Sequence, residues 1–184
     1  MSSPYQSGTV PTVCQTLSMP SVEYDATPRE VRSFALLQIV LTGVFLVLLF
    51  FMLGATDQPF PPIWLTVVLL ALVAGGAFLA ERVWLSASPL PAAADPADSQ
   101  REAVGIFAAQ TVRKLIYAET PMLIAVVVAF VTEHGGWPIV VAGFPGMLVL
   151  TWEVWPSPRN TSLSAAMLDS QGAESRLVES FLDV

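Results

Sequence analysis

Residues 34–55 read FALLQIVLTGVFLVLLFFMLGA, an apolar run whose only clearly polar members are Gln38 and Thr42. A hydrocarbon layer of about 30 Å needs roughly 20 helical residues at about 1.5 Å each, and this run supplies them. Three further runs follow: residues 63–85, counting Glu81-Arg82, residues 115–132 with Glu119 and Pro121 inside, and residues 138–155 with Glu153. None alternates in the way a transmembrane strand does. Of the 184 residues, 54% are hydrophobic and 12% charged, the latter about half the share usual in soluble domains. The sequence therefore predicts an all-α integral membrane protein with four transmembrane helices. An unstructured tail over residues 1–26 precedes the transmembrane domain (27–160), and an amphipathic tail (161–184) follows it. A cytosolic enzyme domain and a disulfide scaffold are excluded, Cys14 being the only cysteine. A nucleic-acid partner is excluded too, because 15 acidic against 8 basic residues leave a net charge of −7 rather than a basic footprint.

The basic residues set the topology. Arg29 and Arg32 precede the first span, Arg82, Arg101, Arg113 and Lys114 lie between the second and third, and Arg159 and Arg176 follow the fourth. The connections 56–62 and 132–137 carry none. The positive-inside rule places both termini and the central loop in the cytoplasm. The first apolar run begins only at Phe34, so residues 1–26 do not read as a cleaved signal. Trp84, Trp152, Trp155 and Tyr117 suit an inner aromatic belt, and Trp64 and Trp137 an outer one.

Thr27-Pro28-Arg29-Glu30 is a helix start with cap, first-turn proline and capping-box acid, and Ser99-Gln100-Arg101-Glu102 gives the same signal 72 residues later. At that offset Gln38 matches Gln110 and Glu81 matches Glu153, which suggests two duplicated hairpins joined by a Pro/Ala-rich linker, residues 89–98. The third helix, from Ser99 to about Val131, is longer than a bilayer requires. Its first turns either project into the cytoplasm or lie along the membrane surface. Beyond Ser157-Pro158, the apolar residues Leu163, Met167, Leu177 and Phe181 fall at helical spacings in two short acidic segments separated by Gly172. These four are the candidate partner contacts, the alternative being a tail that packs on its own bundle.

Three carboxylates are candidates for function or for packing. Glu119 lies inside a span, two residues before Pro121, whose missing N–H frees the Tyr117 carbonyl. Its packing role would be an ion pair with Arg82, Arg113 or Lys114. Glu81 and Glu153 end the second and fourth spans, where they could share a proton or bridge to Arg82 and Arg159. Rotary-motor proteolipids also use hairpins with a carboxylate, but here the acids lie at the span ends and the glycine-rich first helix is missing. His134 is the sole histidine, so neither a metal site nor a nucleophile–base pair can be assembled, and no phosphate loop occurs. No cofactor and no catalytic residue are expected.

The Ala/Val/Pro-rich, acidic composition with one lysine is typical of high-GC bacteria, including actinobacteria. With four spans and cytoplasmic termini, the chain resembles the small accessory subunits of actinobacterial membrane assemblies, such as Mce-type lipid importers and respiratory supercomplexes. The resemblance covers architecture over residues 27–155 and carries no site residue. It implies a non-enzymatic subunit that stabilises a larger membrane complex, with lipid or solute import as the leading context and a respiratory complex as another. A small proton-coupled carrier or channel working as a homo-oligomer is the competing expectation.

Overall fold

The computed structural model describes residues 26–92 and 95–182. Cys14 and nearly all of the tail expected over residues 1–26 lie outside them. Among the described residues the chain is helical, without strands. Helix α1 (Pro28–Met52) starts as its sequence dictates: Thr27 Oγ1 accepts from Glu30 N–H at 3.3 Å, and Glu30 Oε2 accepts from Thr27 N–H at 2.8 Å. Helix α2 (Ile63–Glu81) follows a short connection and gives way to a tight 3-10 turn, Val83–Ser86, so Trp84 and Leu85 lie beyond the α-helix rather than in its last turn.

Helix α3 (Pro96–Val131) has 36 residues, about 54 Å at the α-helical rise. It begins a turn earlier than Ser99. Asp95 accepts from Ala97 N–H at 2.8 Å, and Pro96 occupies the first helical position. Asp95-Pro96 supplies both start signals, leaving Ser99 inside the helix and buried. The fourth helical segment opens with a wide π turn, Ile139–Gly143, and continues as α4 (Phe144–Val154). Pro145 cannot donate to the Val141 carbonyl, and the backbone widens just before it. Two amphipathic helices complete the chain, α5 (Pro158–Leu168) and α6 (Leu177–Leu182). Helices α1, α2 and α3 are each long and apolar enough to cross a membrane; the pair Ile139–Val154 and Pro158–Gln171 passes only together, bent by 50°.

The molecule has two levels. At one, α1–α4 pack around apolar side chains, with Leu46, Leu49, Met122 and Leu150 in one cluster and Leu65, Leu69 and Ala142 in another. Helices α2 and α3 approach closely at Gly76, where a Cβ would lie 2.6 Å from the Tyr117 carbonyl oxygen. That carbonyl is the one Pro121 leaves without its helical donor. At the far end the two short connections lock together: Gly136 N–H donates to Ala55 O, Trp137 Nε1 to Gln58 O, and the His134 ring to Pro59 O. A carbonyl only accepts, so His134 is the donor and is occupied structurally.

The second level lies where α1 begins, and we call it the proximal end. Here the first half of α3 runs beyond the bundle and buries Ala103, Val104 and Phe107 against Leu168, Leu177 and Phe181. The Phe107 and Phe181 rings stand 4.9 Å apart, and Leu90 N–H donates to Leu168 O at 3.0 Å. Leu177 and Phe181, offered above as partner contacts, are completely buried in the chain's own core. Leu163 and Met167 remain half-buried, Met167 packing against this core. The tail thus takes the alternative expected of it, packing on its own bundle, because the exposed α3 extension presents an apolar face at matching helical spacing.

Candidate functional site

Two arrangements gather the polar side chains. The first is an ion network where α2, α3, α4 and α5 meet. Arg159, one residue after the proline that opens α5, reaches Glu81 at the last turn of α2 (2.5 Å) and Glu153 at the last turn of α4 (3.6 Å). Lys114 on α3 completes it, with Nζ 3.1 Å from Glu153 Oε2. Glu153 and Lys114 are 5% and 6% exposed, so each depends on the other: a lone charge at this burial would cost several kcal/mol. Asn160 ties the network to the backbone. Its Nδ2 donates to the Trp152, Glu153 and Trp155 carbonyls, capping the open end of α4 at the bend, while Oδ1 accepts from Arg159 at 3.2 Å and Lys114 at 3.4 Å. Hydrogen bonding to Glu81 raises the pKa of Arg159 above its ordinary value, fixing it as a cation. Two anions face two cations, so the network is closed and neutral as a whole.

The expected pairing of Glu81 and Glu153 through Arg159 is present, but Arg82 takes no part. Its guanidinium lies over the Phe78 ring at 4.4 Å. Asn160 has no sequence signal for this role, and Lys114, one of the three partners expected for Glu119, instead meets Glu153 on a different side of α3. The available signal was periodic: Gln110 and Lys114 fall in line with Ala103 and Phe107 on the face that becomes buried.

The second arrangement surrounds Glu119. No cationic side chain stands within ion-pair distance of it among the described residues, which corrects the expected pairing with Arg82, Arg113 or Lys114. Arg113 instead donates to Ser86 Oγ at 3.3 Å. The bond Glu119 receives comes from Thr42 Oγ1 on α1, at 2.7 Å. Gln38, one turn before Thr42, shares with it the wall of a groove of about 340 Å³ between α1 and α3, otherwise lined by Phe45, Leu46, Met122 and Leu123. The two polar residues of the opening apolar run therefore line the same groove as the one carboxylate inside the third, and Thr42 bonds to it. Their matching positions in separate runs give no sign of this; helix rotation decides it.

Gln110, the repeat-equivalent of Gln38, lies elsewhere, buried at the proximal end. Its Oε1 accepts from Ser164 at 2.8 Å, and its Nε2 has no partner. Among the described residues no three histidine, cysteine, aspartate or glutamate side chains come close enough to hold a metal ion. Compared with known protein families, curated proteins and solved structures, the chain matches none.

Proposed function

We propose that this chain is a non-enzymatic subunit of the bacterial cytoplasmic membrane, with both termini in the cytoplasm. In this reading it binds and stabilises a larger membrane assembly, one concerned with lipid or solute import. The observation that carries the reading is the outer face of α1. Leu37, Leu41, Leu48 and Met52 are 62%, 58%, 58% and 78% exposed and recur at helical spacing as one stripe. In a bilayer a stripe of this kind meets lipid or a partner helix, and in this reading it packs on the partner by van der Waals fit. The interior supports the same reading over a carrier: Leu46, Leu69, Met122 and Leu150 fill the bundle, where a transporter gathers polar groups and broken helices around a central site. Two bands of aromatic side chains and the confinement of all basic residues to the proximal side support insertion and its direction.

The test is purification in mild detergent of the full chain tagged at its amino terminus, followed by native gel and mass spectrometry. Stoichiometric co-purification with a larger assembly is expected, and the triple variant Leu37→Ala, Leu48→Ala, Met52→Ala should release it while remaining in the membrane fraction. Recovery of monomer or homodimer alone would overturn the reading.

A further inference from the structure

The groove at Glu119 sets three polar side chains among apolar walls. A carboxylate inside an apolar span is costly unless it meets a counter-charge, and among the described residues its partner is the Thr42 hydroxyl at 2.7 Å. The remaining acceptor capacity is Glu119 Oε2, the amide oxygen of Gln38 and the lone pairs of Thr42, all on one groove. That set suits a group with several N–H donors and a positive charge. The walls beside it are apolar, and Phe45 and Leu123 stand 45% and 55% exposed at its mouth. The groove thus opens sideways, off the bundle, rather than towards either end. A ligand entering there is charged at its tip and apolar behind. Depth agrees: Glu119 lies five residues beyond Lys114 along α3, about 7.5 Å in from the charged network, within reach of a lipid head that leans inwards.

We infer that this groove holds the primary-ammonium head of a membrane lipid, with Glu119 as the counter-ion, Thr42 and Gln38 as the orienting groups and the lipid chains running along Phe45 and Leu123. The site rests on the membrane reading but not on the accessory role, since it needs no partner protein. It makes one lipid class a resident of the α1–α3 seam, where the two helices otherwise meet loosely.

The experiment is native mass spectrometry of the purified full chain from nanodiscs containing equal parts ethanolamine-headed, choline-headed and glycerol-headed phospholipid of identical acyl chains. The wild type should retain the ethanolamine-headed lipid over both others by about tenfold, the scale of one charge-assisted contact. Glu119→Gln keeps a hydrogen-bonding partner for Thr42, so the fold is preserved, and it should abolish the preference. Glu133→Gln, in the connection at the far end, should leave it unchanged. An unfolding midpoint within a degree or two of wild type for Glu119→Gln separates loss of the site from loss of the fold. Should that variant be unstable, Gln38→Leu takes its place, with a several-fold reduced preference expected. Equal retention of all three lipids by the wild type overturns the proposal, as does an undiminished preference in the variants. A dimer that Glu119→Gln dissolves also overturns it, because the counter-charge would then come from a second copy. Free ethanolamine in solution should not compete; if it does at millimolar level, the site recognises the head alone and the lipid assignment fails.

Discussion

Glu153 and Lys114 show how much of this molecule depends on single charges. Their burial means that Lys114→Met leaves an uncompensated carboxylate with only Arg159, at 3.6 Å, to serve it. A loss of about 3–5 kcal/mol is expected in denaturant unfolding of the detergent-solubilised chain. Replacing both, as Lys114→Met with Glu153→Leu, should recover most of that loss, because two well-packed apolar residues avoid the desolvation of two charges. A double variant no better than the single one would show that Arg159 compensates the Glu153 carboxylate without Lys114. Gln110 offers the opposite case. Its amide nitrogen is buried without a partner, so Gln110→Leu with Ser164→Ala should be neutral or stabilising in the same unfolding measurement.

At the scale of helices, Gly75 and Gly76 are neighbours with opposite roles. A Cβ at Gly75 meets nothing within 4 Å, whereas one at Gly76 meets the Tyr117 carbonyl at 2.6 Å and Pro121 Cγ at 2.9 Å. Gly75→Ala should therefore raise stability by about 0.5–1 kcal/mol through helix propensity. Gly76→Ala should force α2 away from α3 and cost about 1–3 kcal/mol, typical of overpacking. Thermal unfolding of the two variants side by side checks both, and equal effects would refute the close approach. Residue identity shows that α3 holds a proline, which frees a carbonyl, and α2 a glycine, which has no side chain. That the carbonyl freed by one faces the missing side chain of the other depends on how the helices are rotated about their axes, which residue identity does not state.

For the whole molecule, the second core at the proximal end changes how the C-terminal tail is to be tested. Leu168, Leu177 and Phe181 are fully buried, so deleting residues 163–184 removes core rather than a free docking arm. The truncated chain is expected to aggregate on size-exclusion chromatography, and Phe181→Ala alone to lose about 3–5 kcal/mol. A monodisperse truncated chain of unchanged midpoint would show that this level contributes little. A change at Leu163, which is half-buried, is the cleaner probe of a partner at this end: Leu163→Ser should leave the unfolding midpoint within a degree or two of wild type.

Hydropathy alone determined the all-helical class and the presence of several long apolar segments, because solvation free energy accumulates residue by residue and needs no knowledge of neighbours. The Thr27 capping box belongs to the same category, being formed within four residues. So does the excessive length of α3, although its start at Asp95 shows that two overlapping cap signals leave a turn of ambiguity. Only the tertiary structure decided which charges meet. Glu119 found Thr42 rather than a cation, Arg159 joined both span-end acids, and the tail closed over Phe107. Each of these depends on helix rotation and crossing, and those are fixed by the fit of side chains summed over whole interfaces, a property of pairs of helices that no single segment carries.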